Sequence, residues 1–224
     1  MIDYQNTLAL KEENGVLFRL MTQADIEESA KVFAETFQRE IMVAHLGISA
    51  DRFYPFALAA CQQAIDMQMG VVAEDIITGE IAGIVLTQDL LAEEPDDPEF
   101  FEMIRPFEPL FALLDELMLK YLDQKQVFIT GEVSVVFVIG VSAKYARTHI
   151  AKTLVDSALE LNRRHGYKTT IAEVTSAVSQ RLARRSGFKE LIELEYSNFE
   201  FDGKRVFETM NQLHPTCILM EVEL

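Results

Sequence analysis

The stretch with the most chemistry in it lies directly behind a strand. Val133–Val141 is almost wholly apolar and β-branched, as befits a strand buried on both faces. The loop Ser142–His149 follows at once, and a helix is expected from Ile150, with Leu154, Leu159 and Leu161 among its apolar positions and Lys152, Asp156 and Glu160 opposite. The first backbone N–H groups of such a helix are unpaired and point into the preceding loop, which makes this corner a place for an anion such as phosphate. Ala143, Ala146 and Ala151 are small enough for the backbone to approach phosphate oxygens, while Arg147, Thr148 and His149 add polar side chains. A β-α-β unit with no ligand fits the same segment as well. Both readings stay open on these residues alone.

Other chemistry is sparse. Cys61 and Cys217 sit in apolar settings without CxxC spacing, so neither a disulfide framework nor a zinc site is expected. No two of the histidines have metal-ligand spacing on one face, and metal dependence is not expected. His165 suits a cation at a helix end, and His214 a turn before Pro215. Gly83, inside a β-branched run, marks either a bulge or a close approach by a ligand.

The elements that must position these residues read as follows. Val16–Leu20 is a short strand, and Thr22 is a helix N-cap with Asp25 as its capping-box partner. Ile26, Ala30, Phe33, Ala34 and Phe37 give one helix face down to about Ala44, where Gly47 breaks it. A second helix follows Asp51 through Met69. Two β-branched runs then flank Thr78-Gly79, a hairpin signal. Residues 90–126 interrupt the alternation with an acidic run, Glu93 to Glu102, and a helix at about Pro109–Leu122. That insertion is either a solvated loop with a packed helix or a lid beside a site that favours amines. After the central strand, loop and helix, Gly166 stops the helix and Tyr167–Val174 is the next strand. A short helix at Ser179–Arg185 ends at Ser186-Gly187-Phe188. Phe188–Phe201 reads as one long strand, Asp202-Gly203 as a turn and Thr216–Leu224 as a last strand. The order β, α, α, hairpin, inserted helix, β, α, β, α, β, β predicts an α/β domain, with a mixed central sheet and helices on both faces.

The 224 residues suit one such domain, 1–224, enlarged by the insertion at about 90–126. A formal net charge of −16 disfavours nucleic acid and anionic membrane surfaces as partners. An acidic surface concentrates cationic small molecules, although it serves solubility equally well. The N-terminus shows no signal-peptide progression, and no apolar run approaches the roughly 20 residues a bilayer span needs. The expected address is cytoplasmic.

The element order, with Phe37-Gln38-Arg39-Glu40, the inserted helix, Thr175-Ser176 and Ser179 before Ser186-Gly187-Phe188, and the tail Tyr196…Asp202-Gly203-Lys204…His214-Pro215, resembles the GNAT superfamily of acetyl-CoA-dependent N-acetyltransferases. Within it the chain is most similar to the arylalkylamine (dopamine-type) N-acetyltransferases. The resemblance runs from about Val16 to the end. It implies the GNAT fold, acetyl-CoA as co-substrate without a metal, and a small primary amine, arylalkylamine or polyamine-like, as acceptor. It also implies a central strand splayed from its neighbour, whose N–H groups at Ile139 and Val141 hold the acetyl carbonyl and pantetheine arm. The pyrophosphate would lie on Ala146, Arg147, Thr148, His149, Ile150 and Ala151. There the family pattern Arg/Gln-x-x-Gly-x-Gly/Ala keeps its last small residue as Ala151, but the basic residue moves to Arg147 and the middle glycine becomes His149. If that position requires positive φ, a β-carbon there costs roughly 1–2 kcal/mol.

By the same resemblance Glu40 is the expected base, its pKa raised by partial desolvation beside Phe37, Ile41 and Met42, although the family's Pro-Leu after the glutamate is Ile41-Met42 here. Ser176 and Ser179 match two serines assigned to proton relay or substrate positioning. They equally suit capping of the short helix. The tyrosine acid of many GNAT enzymes is replaced by Ala183, and His45 is placed to line the acceptor site. The terminal strands and inserted helix are where such folds pair as homodimers. Two alternatives stand beside this reading: a GNAT-fold binding or regulatory module with a degenerate CoA loop, and a transferase using another acyl-CoA.

Overall fold

The computed structural model describes residues 9–93, 98–124, 127–146, 149–210 and 213–224. Eight strands form one sheet: β1 Ala9–Glu13, β2 Val16–Leu20, β3 Gly70–Asp75, β4 Ile81–Asp89, β5 Val133–Val141, β6 Thr169–Val174, β7 Lys189–Glu195 and β8 Thr216–Glu223. Their order is β1-β2-β3-β4-β5-β6-β8-β7, and the pairing is antiparallel except between β5 and β6. Helices α1 (Ile26–Phe37), α2 (Ile41–His45), α3 (Ala50–Asp66), α4 (Pro98–Ile104) and α5 (Glu108–Leu122) carry one face of the core. Helices α6 (Ile150–Arg164) and α7 (Ala177–Arg185) cover the other. The mixed sheet with helices on both faces is the predicted architecture.

Two element ends lie well short of the sequence reading, and two elements are new. The predicted first helix to Ala44 ends at Phe37, because Glu40 takes an extended backbone (ψ 141°) and starts the separate helix α2. The predicted strand Phe188–Phe201 stops at Glu195, where a 3-10 turn over Tyr196–Asn198 drives the Tyr196 ring into the core. Strand β1 is new. Its sequence, ALKEE, is an edge strand with charges facing water, so it carries little of the apolar alternation that marks a strand. Helix α4 is also new, and lies inside the insertion.

The hairpin turns form as predicted: Gly79 has φ +74°, and Asp202 and Gly203 (φ +49° and +71°) close a tight turn between Phe201 and Lys204. Gly83 answers the bulge alternative. Ala82 is the extra residue in the β3–β4 register, and a Cβ on Gly83 would stand 2.9 Å from the Gly140 carbonyl and 3.0 Å from Leu154 Cδ1. The close approach is by β5 and α6, not by a ligand.

Two devices hold the central corner. Asn162 of α6 is fully buried; its Nδ2 donates to Ser134 Oγ (2.9 Å), and its Oδ1 lies 3.0 Å from Thr87 Oγ1. One side chain thereby ties α6 to β4 and β5, and Ser134 Oγ continues to Thr170 Oγ1 on β6 at 2.8 Å. On the opposite face Phe33, Phe53, Phe56 and Phe107 pack edge to face, with Phe53 and Phe107 centroids 4.9 Å apart. Phe107 is fully buried, so the insertion is anchored in the same core as α1 and α3.

Candidate active site

The site begins where two parallel strands part. β5 pairs with β6 from Val133↔Thr169 to Val136↔Ala172 and no further, although both strands continue. Phe137 is an extra residue in the β4–β5 register, between Thr87↔Val136 and Leu86↔Val138. A bulge of this kind bends its strand and ends regular pairing. Ser142 N–H donates to the Ala82 carbonyl on β4 at 2.9 Å. Successive N–H groups of a strand point to opposite sides, so those of Val141 and Ile139 turn away from β4 into the gap. Across the gap's mouth, Thr36 of α1 approaches Gly140 so closely that a Cβ there would stand 3.2 Å from Thr36 Oγ1, a buried hydroxyl without a partner.

The loop after β5 is pinned from one side. Tyr145 Oη donates to Asp75 (2.9 Å) and Glu80 (3.0 Å), and Lys144 is paired with Glu80. Ala146 is extended and exposed, His149 is exposed, Ile150 is buried and Ala151 half-buried. Arg147 and Thr148 lie outside the described residues. His149 has φ −79° and ψ 2°, which corrects the conditional expectation of strain: this corner asks for no positive φ, and a β-carbon is accommodated. Its ring makes no hydrogen bond to the first turn of α6. Beside that turn lies a hollow of about 380 Å³ between the β1–β2 hairpin and α6. Glu13, within it, accepts from Thr153 Oγ1 at 2.9 Å. Hydrogen bonds from Lys11 and then Thr153 hold the Glu13 carboxyl below its usual range.

Glu40 and the serines meet at the end of β6. Glu40 Oε2 accepts from the backbone N–H groups of Met42 (2.8 Å) and Val43 (3.1 Å), capping α2, and Oε1 accepts from Thr175 Oγ1 at 2.6 Å. The carboxylate expected in an apolar setting is instead engaged by three donors. Ser176 and Ser179 form a reciprocal capping box on α7, with their hydroxyl oxygens 3.0 Å apart. Tyr196 Oη donates to the Thr175 carbonyl at 2.6 Å. Burial raises the pKa of this phenol and of the neighbouring Cys217 thiol. His214 Nδ1 accepts from Ala177 N–H at 2.9 Å, so it holds the start of α7 rather than a turn alone. His45 instead donates to the Val206 carbonyl (2.9 Å) and does not line the cavity described next.

On the same face of the sheet a cavity of about 1020 Å³ opens between α3, α4, α5, the end of β4 and the bulge at Phe137 of β5. Phe56, Phe100, Phe111, Phe137 and Phe201 line it, with Asp66, Glu93, Glu108 and Asp115 as its charged groups. No lysine or arginine is among its lining residues. The insertion supplies one wall, from Ala92 to Asp115; residues 94–97 of the acidic run lie outside the described residues. Aromatic faces with carboxylates and no cation suit a ligand that is apolar and positively charged. Among the described residues no group of three or more His, Cys, Asp and Glu is arranged to hold a metal, and no helix is long and apolar enough to cross a membrane.

Glu173 escaped the sequence reading. It stands one residue beyond the last β5–β6 pair, on the face that carries Ile171, and its Oε1 is buried without a hydrogen-bond partner. The signal was present: a lone carboxylate two residues after Ile171 in an otherwise apolar stretch puts a charge on an inward face.

No protein-family model matches the chain, and no curated protein matches it by sequence. Solved structures share its fold. The C-terminal condensation domain of Ebony in complex with β-alanyl-dopamine superposes with a TM-score of 0.81 at 17% identity, covering 93% of this chain and 99% of that one. Arylalkylamine N-acetyltransferase 2 from Aedes aegypti gives 0.76 at 20% identity, covering 94% and 99%. The Drosophila melanogaster polyamine N-acetyltransferase, which forms N-acetylagmatine, gives 0.73 at 17%, covering 93% and 100%. The fold is therefore that of the GNAT acetyltransferases.

Proposed function

We propose that the chain is an N-acetyltransferase that moves acetyl from acetyl-CoA to a small primary amine, arylalkylamine or polyamine-like, by direct attack. The observation that carries this reading is the parting of β5 and β6 beside a cavity lined by aromatic rings and carboxylates. Acetyl-CoA, as co-substrate, supplies an acetyl group activated as a thioester. The N–H groups of Ile139 and Val141 are our donors to its carbonyl, where charge builds as the nitrogen attacks. The segment Ala146, Arg147, Thr148, His149, Ile150 and Ala151, which leads into the first turn of α6, is our pyrophosphate seat, with Arg147 and Thr148 outside the described residues. The negative φ of His149 supports it, because the ring can turn outward without strain.

Ser176 and Ser179 keep a double part in this reading. They cap α7, and their paired hydroxyls are our route for a proton to the departing sulfur. Glu40 acts here by holding Thr175 and α2 in register. No step uses a metal. The two cysteines are free and buried, which supports work in a reducing compartment such as the cytoplasm.

The test is calorimetry with acetyl-CoA and with CoA, followed by thiol release over a panel of phenylethylamines, agmatine and polyamines. Saturable binding at micromolar concentration and turnover with at least one amine are expected. No heat at millimolar acetyl-CoA from folded protein overturns the acetyl donor. A second reading, condensation of another acyl group with an amine, is favoured by the likeness to the Ebony domain and its β-alanyl-dopamine complex. Turnover with β-alanyl-CoA but not acetyl-CoA would select it. Binding of neither donor leaves a binding module.

A further inference from the structure

We propose that Glu173 is the group that takes the proton from the acceptor amine; this rests on the transferase reading above. An amine arrives as an ammonium and must lose one proton before its lone pair can attack. In the balanced step the ammonium gives that proton to a Glu173 oxygen, and the nitrogen bonds to the thioester carbon. The carbon–sulfur bond breaks with its electron pair on sulfur, and the second nitrogen proton ends on the thiol. The proton on Glu173 leaves to solvent, which resets the site.

Geometry carries the assignment. Glu173 follows the last β5–β6 pair, Val136↔Ala172, on the sheet face of Ile171, so it stands where the gap opens; Phe137, the β5 residue after Val136, and Asp115, whose charge acts on Glu173, both line the cavity. Its Oε1 is buried and has no hydrogen-bond partner in a structure where buried polar atoms are nearly always paired. Glu40, the other carboxylate near the gap, already accepts from Met42, Val43 and Thr175.

Among the described residues, the one charge acting on Glu173 is negative. Asp115 acts on it from α5 and Cys217 lies against it from β8; Tyr196 and Glu40 act on Cys217 in turn, and Glu221 of β8 is turned to Tyr121 of α5. None of these is a cation. Burial first, and the charge of Asp115 second, push the Glu173 carboxyl up to about 8. An alkylammonium releases its proton near pH 10, as a lysine does at about 10.4. An ordinary glutamate at about 4.3 would face a gap of some six pH units to accept it. A carboxylate at about 8 narrows that gap to two or three.

The test compares wild type with Glu173→Gln on two amines, an alkylamine protonated at the assay pH and a β-fluorinated analogue of low pKa whose nitrogen is already neutral. The expected result is a loss in kcat of about 10²–10⁴-fold for the first, the usual range for one acid–base group, and under tenfold for the second. Equal losses on both amines overturn the proposal and leave the transferase intact. No turnover by wild type with any amine removes the transferase reading, and the proposal with it. A readout without substrate runs in parallel: a protonated-carboxyl infrared band that titrates near pH 8 in wild type and is missing from Glu173→Gln. Should that variant not fold, Asp115→Asn serves instead. It must move the band's midpoint to lower pH, and an unmoved midpoint or an absent band overturns the proposal.

Discussion

Glu40 shows what one carboxylate does when three donors claim it. Replacing it with alanine removes the cap of α2 and leaves Thr175 Oγ1 without its acceptor. The expected loss is about 1–2 kcal/mol of unfolding free energy, read from urea denaturation at pH 7. Glu173 predicts a pH dependence of opposite origin. Its carboxyl titrates at about 8 folded and near 4.5 in the open chain, so between those values the native state holds a proton that the unfolded state has lost. Stability therefore falls as pH rises through this window and levels off above about 8. The Glu173→Gln protein lacks that slope, and the excess of its Tm over wild type should widen from pH 5 to pH 8.5. A Tm gap independent of pH would count against a buried, titrating Glu173. Sequence made the first residue visible and not the second. Glu40 and the serine pair sit in short motifs, whereas Glu173 acquires its meaning from α5 and β8, which come from distant parts of the chain.

At the scale of elements, the order of strands and helices could be read from periodicity because most of them bury one clear face. The two misplaced element ends share a cause. The break at Glu40 and the turn at Tyr196 are made by side chains that bond across the fold, to Thr175 in both cases, and no local pattern announces such a partner. Gly83 offers the sharpest test of element packing. Gly83→Ala places a methyl 2.9 Å from a backbone carbonyl of β5 and 3.0 Å from Leu154, so the strand pair or α6 must give way. Overpacking of this kind costs about 1–3 kcal/mol. The expected result is a lower urea midpoint with an unchanged slope, and earlier exchange of the β4 and β5 amides. Ser179→Ala, by contrast, opens only the capping box of α7 and should cost about 1 kcal/mol in the same assay.

For the whole molecule, 36 acidic against 20 basic side chains leave −16 charges that repel one another in the folded state. Raising NaCl from about 20 to 300 mM shortens the screening length severalfold, so Tm should rise over that range. The same salt should lower kcat/KM for a cationic amine while leaving a neutral one unaffected, which separates steering from stability. The net charge was plain from composition. The parting of β5 and β6 was not, because it depends on a register set jointly by β4, β5 and β6. One more consequence follows from the cavity wall contributed by a single contiguous insertion, while the gap and the loop before α6 lie elsewhere in the chain. Under the transferase reading, changes confined to that one uninterrupted run of codons would redraw the list of accepted amines and leave the acyl-handling parts as they are.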